Sequence, residues 1–358
     1  MASPATVNGR QECSSLTVKA NPVATSQPAA ITRITGQGSS SAAGRAGGSG
    51  VDGLSSVIGN NVSDVGASPA WSVRLAAVND PEARRASSAE WVIDIDDPAD
   101  PRLDDFRDLN SVDRRPDLPS GKGLVIAEGV LVVQRMLASR FVPRALLGTD
   151  RRLTELAGDL DGARVPFYRT SAEVMAAVVG FHLNRGVLAS ASRAPELSVK
   201  EVVSGAHTVA VLEGVNDHEN LGSIFRNAAG LAVDAVVFGA GCADPLYRRA
   251  VRVSMGHALL VPFARASSWP GDLQLLRDEG FRLLAMTPDP AVDSLATAMA
   301  ALNGQPVAIL VGAEGPGLTE RTMRASDVRV RIPMSRGTDS LNVATAAALA
   351  FYERGRGR

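Results

Sequence analysis

The chain has 358 residues, a formal net charge of −1 at pH 7 and 45% hydrophobic residues, and this length is enough for two domains with separate cores. No apolar run is long enough to span a bilayer, and the first residues lack the charged start and apolar core of a signal peptide, so we expect a cytoplasmic protein without membrane contact. Only two cysteines occur, which excludes a disulfide framework and a cysteine metal site, and the small net charge means that any nucleic-acid binding must use local patches.

Residues 1–90 are predicted to be a non-globular extension. The stretch 37–50 consists mostly of Gly, Ser and Ala, and the sequence around it has little hydrophobic periodicity. Two interpretations are open: a disordered tail, or a translation start assigned too early, with the protein itself beginning near Trp91. We favour the second, because nothing in this segment carries chemistry. The acidic, proline-containing stretch 91–120 is predicted to lead into the first domain.

Residues 121–194 are predicted to form a small α/β domain. Helices are expected over 124–138, 153–160 and 171–179, and strands over 142–147, 165–168 and 186–190. The domain carries five arginines, namely Arg140, Arg144, Arg151, Arg152 and Arg185. For each one alone, solvated surface charge is the simpler interpretation. As a group they could form a phosphate-contacting face, for which Arg140, Arg144 and Arg185 are our candidate RNA contacts.

A linker over 195–205 is expected to precede a second domain over 206–358. Its strands are predicted over 208–212, 235–238, 282–286, 307–311 and 328–332, and its helices over 220–231, 245–257, 272–279, 292–302, 319–325 and in the last stretch of the chain. This alternation with continuous apolar strands predicts a parallel sheet covered on both faces. Ligands of such sheets bind beyond the carboxyl ends of the strands, so three loops there are the candidate site.

The first loop leads into the helix expected from Asn220, a plausible N-cap. Arg226 lies six residues further, less than two turns along the same helix, and its planar guanidinium suits a phosphate or a carboxylate. A cap and a surface arginine would explain the two residues separately. Gly222 inside the helix costs about 1 kcal/mol relative to alanine, which indicates that something approaches the helix closely there.

The second loop holds Gly312, Gly315 and Gly317 after an apolar strand. These glycines permit positive φ and a close approach of backbone to a ligand. The spacing and position do not fit a Rossmann dinucleotide site, Glu314 would repel a pyrophosphate, and no Gly-Lys-Ser/Thr of a Walker loop follows. A tight turn without a ligand stays open as an interpretation.

The third loop follows Ile332-Pro-Met334 and carries Ser340 and Asn342 where an alanine-rich helix is expected to begin. Such a turn offers backbone N–H groups together with hydroxyl and amide side chains around one point. Asn342 alone would be explained as a helix cap.

Together the three loops resemble the signature motifs of the SpoU (TrmH) family of RNA ribose 2′-O-methyltransferases in the SPOUT superfamily. The motifs are 220–226 (NLGSIFR), 312–318 (GAEGPGL), and 332–334 (IPM) with 340–343 (SLNV), in the family's order and spacing, and the resemblance covers about 208–353. Three positions depart from the usual pattern: Asp217-His218-Glu219 replaces an Asp-Pro before the asparagine, Leu231-Ala232 replaces Phe-Gly, and Ala344 replaces a serine. These departures leave activity expected and put substrate details in doubt.

The resemblance implies a deep trefoil knot near the C-terminus, a homodimer, and S-adenosylmethionine as cofactor without any metal. Gly312, Ile332 and Leu341 are the implied core cofactor contacts, and we add Leu310, Met334 and Gly315. The implied catalytic residues are Arg226, Asn220, Glu314, Ser340 and Asn342. In these roles Arg226 grips a phosphate and the developing alkoxide, Asn220 orients the ribose or Arg226, Glu314 orders the loops, and Ser340 and Asn342 place the hydroxyl and the cofactor.

The first domain resembles the ribosomal-protein-like RNA-binding domain that often precedes this catalytic domain, which favours ribosomal RNA as substrate. Three alternatives to an rRNA 2′-O-methyltransferase are open: the same chemistry on tRNA, a non-catalytic RNA-binding or ribosome-assembly factor on the same fold, and a nucleotide-binding oxidoreductase. The intact Arg226 and Asn342 argue against the non-catalytic factor, and the glycine spacing argues against the oxidoreductase.

Overall fold

A computed structural model of the chain describes residues 91–109, 123–161 and 163–356, and the predictions for residues 1–90 lie outside that part. The described residues form two sheets, one of five strands and one of seven. The strand order is β1-β4-β3-β5-β2 in the first sheet and β10-β12-β9-β11-β6-β7-β8 in the second. Two α/β domains, the second built on a parallel sheet, agree with the α/β part of the predicted fold class.

The first domain is a mixed sheet with helices on its faces. Its strands are β1 Val92–Asp94, β2 Leu124–Glu128, β3 Val142–Gly148, β4 Phe167–Arg169 and β5 Val187–Ser192, and its helices are α1 Val130–Leu137, α2 Asp150–Leu160 and α3 Ala172–Val179. β1, β4 and β3 are parallel neighbours, whereas β5 is antiparallel to both β3 and β2. Ser171 caps α3, because its side chain accepts a hydrogen bond from the Val174 N–H.

Two predictions for this domain are wrong. The helix expected over 124–138 is a buried strand, Leu124–Glu128, followed by helix α1, and Gly129 with φ of +95° makes the turn between them. The stretch predicted as a lead-in belongs to the domain, since Val92–Asp94 adds the edge strand β1. Beyond β1, Leu103 and Phe106 are fully buried against the same sheet.

The second domain is a parallel sheet covered on both faces, as predicted. Its strands are β6 Thr208–Glu213, β7 Ala235–Phe238, β8 Phe263–Arg265, β9 Arg282–Met286, β10 Asp293–Ser294, β11 Val307–Gly312 and β12 Val328–Arg331. Its helices are α4 Val199–Val203, α5 His218–Gly230, α6 Arg248–Val253, α7 Leu273–Asp278, α8 Leu295–Ala301, α9 Glu320–Ala325 and α10 Val343–Arg356. Side chains alternate along β11: Ile309 packs in the core on one face of the sheet and Leu310 in the core on the other.

The stretch expected to be a linker over 195–205 contains helix α4. Ser198 and Glu201 form a reciprocal capping box at its start, and Val199 and Val203 are buried against the seven-stranded sheet. A short segment with a good cap and only one turn of apolar residues gives little periodicity, which explains why the helix was missed. The helix expected over 245–257 is also shorter, because α6 ends at Val253 and a 3-10 turn, His257–Leu259, follows Gly256 with φ of +86°.

The two domains pack on each other through this region. Leu246, Val251 and Leu259 of the second domain lie in the same apolar cluster as α1 and the first sheet. Beside that cluster, the buried carboxylate of Glu128 pairs with Arg248 at 3.1 Å. Helix α1 and the turn around Gly256 are therefore in direct contact.

Candidate active site

Helix α5 begins earlier than predicted and is capped by a different residue. The side chain of Asp217 accepts hydrogen bonds from the N–H groups of Glu219 and Asn220, at 2.9 and 2.8 Å. Asn220 is therefore in the first turn and is not the N-cap. Because Asp217 satisfies the end of the helix, the Asn220 side chain is available for contacts with the other loops.

Asn220, Glu314 and Asn342 form a chain of side-chain hydrogen bonds that joins the three predicted loops. The Asn342 carbonyl oxygen accepts from the N–H groups of Ala344 and Thr345, at 3.0 and 3.2 Å, and so caps helix α10. Its amide nitrogen donates to the Asn220 carbonyl oxygen at 2.7 Å, and the Asn220 amide nitrogen donates to Glu314 at 3.0 Å. The cap fixes which way Asn342 points, and Asn342 in turn fixes Asn220.

A cavity of about 240 Å³ opens beside this chain of hydrogen bonds. It is lined by residues of the second loop, of the third loop and of the end of β9. These include Met286, Thr287, Pro288, Gly312, Glu314, Gly315, Gly317, Ile332, Met334, Ser340, Leu341, Asn342 and Ala346. Its lining is mainly apolar with a few polar groups, which is typical of a small-molecule site.

Gly312 is required by the shape of the glycine loop. A Cβ atom at this position would lie 2.1 Å from the carbonyl carbon of Gly317, which is far inside van der Waals contact. The Gly317 N–H also donates to the Ala313 carbonyl at 3.0 Å, so the loop folds back on itself directly against β11. Residues 312–317 therefore present backbone, with little side chain, to the cavity.

Five of the six predicted cofactor contacts line this cavity, namely Gly312, Gly315, Ile332, Met334 and Leu341. The sixth, Leu310, does not line the cavity. Its side chain is fully buried in the core on the α7 face of the sheet, because side chains alternate along β11. Met286, Thr287, Pro288 and Ala346 line the cavity without having been predicted, since nothing in their own sequence distinguishes them from ordinary loop and helix residues.

A buried carboxylate supports the glycine loop from behind. Glu213, at the carboxyl end of β6, accepts hydrogen bonds from the Trp269 indole at 2.6 Å, the Thr319 N–H at 2.8 Å and the Thr322 hydroxyl at 2.9 Å. Burial alone would raise the pKa of Glu213, but these donors outweigh burial and the net pKa is lowered. Thr319 caps α9 directly after the loop, so Glu213 anchors the loop's exit.

Arg226 lies on the exposed face of α5, about 9 Å along the helix from Asn220 at 1.5 Å per residue. No hydrogen bond or ion pair to another described residue holds its guanidinium. Nearby, Gly222 meets helix α6, since a Cβ there would lie 2.8 Å from the Ala250 carbonyl oxygen. The close approach expected at Gly222 is therefore a helix–helix contact.

A histidine and a second arginine lie close enough to Arg226 for its charge to act on them. Burial, together with the positive charges of Arg135 and Arg226, lowers the pKa of His257 to about 4. Arg135 comes from helix α1 of the first domain and donates to the Met255 carbonyl. Neither residue is singled out by the sequence. Arg135 lies more than 80 residues from Arg226 along the chain, and His257 belongs to a different predicted helix.

The arginines predicted to contact RNA all have partners within the protein. Arg140 donates to the Pro195 carbonyl at 2.7 Å, Arg144 pairs with Asp105 at 2.7 Å, and Arg185 donates to the Glu128 carbonyl at 3.4 Å. Arg151 and Arg152 both pair with Glu155. A phosphate-contacting face built from these five residues stays a prediction, and the carboxylates beside three of them reduce its local positive charge.

A family model described as the SpoU rRNA Methylase family matches residues 207–352. An uncharacterised tRNA/rRNA methyltransferase of Mycobacterium tuberculosis is 76% identical over 265 residues, which cover 74% of this chain and 92% of the relative. The chain belongs to the SpoU methylase family. In this family member the second and third loops line the cavity, and the first loop is joined to them through the hydrogen bonds of Asn220 with Glu314 and Asn342.

Two solved structures resemble this SpoU protein. An AdoMet-bound rRNA methyltransferase from Sinorhizobium meliloti is 22% identical, covers 74% of this chain and 98% of its own, and superposes with a TM-score of 0.62. An RNA 2′-O ribose methyltransferase is 26% identical, covers 74% of this chain and 99% of its own, with a TM-score of 0.59. The first likeness shows the fold.

No helix in the part of the chain that the structure describes is long and apolar enough to cross a membrane. Within the same residues, no three His, Cys, Asp or Glu side chains come together as metal ligands would.

Proposed function

We propose that this protein transfers a methyl group from S-adenosylmethionine to a ribose 2′-hydroxyl of ribosomal RNA. The observation that carries the proposal is the hydrogen-bonded chain Asn342–Asn220–Glu314, which joins the three loops beside one cavity, with Arg226 on the same helix as Asn220. The family is one of RNA methylases, and the names of its two similar structures support both the cofactor and the 2′-oxygen as acceptor.

The residues around the cavity fit the cofactor. Gly312, Ile332 and Leu341 would hold it through backbone groups and apolar contacts, and the close packing of Gly312 on Gly317 leaves the loop backbone uncovered by side chains. When bound, S-adenosylmethionine supplies an electrophilic methyl group on a sulfonium. The protein's contribution is then to place a 2′-hydroxyl oxygen in line with that methyl group and to keep it there.

Arg226 has the clearest chemical role. A guanidinium does not readily lose its proton, so Arg226 acts as a permanently charged cation and not as a base. It grips the phosphate next to the acceptor ribose and stabilises the alkoxide that develops on the 2′-oxygen. The proton of the 2′-hydroxyl leaves to that phosphate or to another acceptor on the substrate side.

Asn220, Glu314 and Asn342 orient the reactants. Because each of their side-chain bonds fixes the next, the Asn220 amide has one orientation when RNA arrives and loses little freedom on binding. Ser340 lines the cavity beside them and is placed to contact the hydroxyl or the cofactor.

The test is a methylation assay with isotopically labelled S-adenosylmethionine on ribosomal RNA and on tRNA, followed by alkaline hydrolysis. We expect label in ribosomal RNA at a ribose whose 3′ phosphodiester resists alkali, because a methylated 2′-oxygen cannot attack it. Arg226→Ala should lower turnover by roughly 10²–10³-fold while cofactor binding is kept. A wild-type rate in Arg226→Ala would show that its assigned role is wrong.

The same assay separates the alternatives. Label only in tRNA would support a tRNA methyltransferase, a reading that the name of the mycobacterial relative also includes. Cofactor-independent RNA binding without any label would support a non-catalytic assembly factor.

We also propose that the protein is a homodimer with a C-terminal trefoil knot, as in the family. Leu349 and Tyr352 on α10 are 41% and 57% exposed and lie three residues apart, on one face of the helix. Light scattering after size exclusion tests the dimer: Leu349→Glu with Tyr352→Glu should give a monomer, and a monomeric wild-type protein would contradict the proposal.

A further inference from the structure

A residue of the first domain lies against the turn of the second domain that helix α5, the helix of Arg226, also contacts. Arg135 is in the last turn of helix α1, which packs on the turn at Gly256. A Cβ at Gly256 would lie 3.2 Å from the Cβ of Arg135 and 3.3 Å from its Cδ, so the arginine stem passes directly over this glycine. One guanidinium nitrogen, Nη1, donates to the Met255 carbonyl. These contacts fix Arg135 at the junction of the two domains.

Helix α5, which carries Arg226, packs on the same 3-10 turn, His257–Leu259, as helix α1 does. The two arginines thus approach one turn from two domains. Within the described residues no carboxylate pairs with Arg135 or with Arg226. Other arginines of the protein do have such partners: Arg144 pairs with Asp105, Arg169 with Asp94, and Arg248 with Glu128.

Two cations without a carboxylate between them raise the energy of the folded protein unless an anion joins them. The effect reaches the neighbouring groups. Burial and the charge of Arg226 lower the pKa of Arg135, and both arginines help to lower the pKa of His257. The neutral His257 adds no positive charge, and its buried Nδ1 has no hydrogen-bond partner among the described residues.

We propose that Arg135 and Arg226 together bind one phosphodiester of the RNA substrate, so that the first domain supplies half of an anion site at the catalytic centre. A guanidinium has five N–H donors, and Arg135 uses one nitrogen on Met255, which leaves several for phosphate oxygens. Arginine favours phosphate because its planar fork matches two phosphate oxygens at once.

This inference rests on the proposed function, since it takes Arg226 as the residue that grips the phosphate beside the acceptor ribose. It adds a consequence for selection of the substrate. Methylation requires the RNA to bridge both domains at this point, and RNA bound to the second domain alone is held by only one of the two cations.

The test compares Arg135→Gln with Arg282→Gln. Arg282 is an exposed arginine at the amino end of β9, the end of the sheet away from the cavity, and so controls for the loss of one charge. Binding of a fluorescein-labelled single-stranded RNA is measured by anisotropy at several salt concentrations. For Arg135→Gln we expect the slope of log affinity against log salt to fall by about 0.7, the value for one phosphate contact with a single strand. The control should keep the wild-type slope.

The methylation assay supplies a second measurement. Arg135→Gln should raise KM for RNA about tenfold, equivalent to about 1.4 kcal/mol, and leave KM for S-adenosylmethionine unchanged. Because Arg135 also bonds to Met255, urea unfolding is recorded for each variant, and Arg135→Lys is included. The lysine variant keeps the charge, so it should keep the salt slope while losing affinity with the planar fork.

An unchanged salt slope and an unchanged KM for RNA in a folded Arg135→Gln variant would overturn the inference. So would binding of inorganic phosphate through Arg135 with no change in the RNA slope, because the site would then take a free anion. If the wild-type protein methylates no RNA, the proposed function fails, and the RNA-binding slopes still decide the role of Arg135.

Discussion

The amide nitrogen of Asn342 donates to the carbonyl oxygen of Asn220 at 2.7 Å, across 122 positions of the chain. The same Asn342 side chain caps helix α10 through its own carbonyl oxygen. One residue therefore has a structural role on one side of its amide group and a role in the site on the other, and substitutions can separate the two.

Asn342→Ala removes both roles, whereas Asn342→Asp keeps the cap. We expect Asn342→Ala to lose about 1 kcal/mol of unfolding free energy, and Asn342→Asp to keep wild-type stability. Both should lose at least tenfold in methyl-transfer rate. In the Asp variant a carboxylate oxygen faces the Asn220 carbonyl, and if Asn220 turns over to donate to it, Glu314 loses its donor. Urea unfolding and single-turnover rates measure the two effects, and a wild-type rate for Asn342→Asp would contradict this account.

Gly312→Ala should abolish the cofactor cavity. Its new methyl group would lie 2.1 Å from the Gly317 carbonyl carbon, so the loop 312–317 must move away from β11. We expect the affinity for S-adenosylmethionine, measured by calorimetry, to fall more than about tenfold. Gly158→Ala on α2 is the matched control, since a Cβ there meets nothing within 4 Å, and it should stabilise the protein by about 0.5–1 kcal/mol. Unchanged cofactor affinity in Gly312→Ala would show that the cavity is not the cofactor site.

Glu213→Gln should destabilise the protein in a pH-dependent manner. The amide places N–H donors against Trp269 or Thr319, which themselves donate, and the lost bonds cost roughly 1–3 kcal/mol. The pKa of Glu213 is lowered on folding, so its carboxylate contributes stability above the usual value of 4.5, and this is lost as pH falls through the lowered pKa. Urea unfolding from pH 7 downwards should show the wild-type advantage shrinking below that value. An advantage independent of pH would contradict the assignment.

His257 should stay neutral well below the pH at which ordinary histidines become charged. Its pKa of about 4 lies under the usual 6.5, so the unfolded chain binds a proton that the folded protein does not. Its contribution to stability is complete above pH 6.5 and is lost as pH falls towards 4. In imidazole NMR spectra, Arg135→Gln and Arg226→Ala should each raise this pKa, because each removes a neighbouring positive charge, whereas Arg282→Gln should not. If His257 titrates at its usual pH in the wild type, the placement of Arg135 and Arg226 around it is wrong.

The parts of the site that could be predicted are those where the residue type alone indicates its structural role. Gly312 and Asn342 follow apolar strands at positions where close backbone contact or a helix cap was needed, and the structure gives them those contacts. Asn220 bonds to the second and third loops, but it is not the cap, because Asp217 three residues earlier is an equally good cap and the helix starts at His218.

What could not be predicted depends on tertiary contacts. The apolar run from Leu124 suits a strand or a helix by composition, and only its pairing with β5 decides for the strand. Leu310, predicted as a cofactor contact, lies two residues before Gly312, but the alternation of side chains along the strand turns its side chain into the core. Arg135 reaches the turn at Met255 and Gly256 only because the two domains pack on each other, and no local sequence pattern predicts that packing.

The position of β11 has a consequence for synthesis of the protein. This strand pairs with β6 on one side and β9 on the other, so it alone joins the part of the sheet made earlier, β6 to β8, to the part with β9. A nascent chain that has not yet released Val307–Gly312 from the ribosome therefore carries the half-sheet β6–β8 with an open, apolar edge. It also carries β9 without a strand partner, because β12, the other neighbour of β9, lies still further along the chain. Chains that terminate before this point should be strongly prone to aggregation and should be removed by cellular proteases. Since β11 ends at Gly312, the cavity beside Gly312 can form only when the seven-stranded sheet is already continuous.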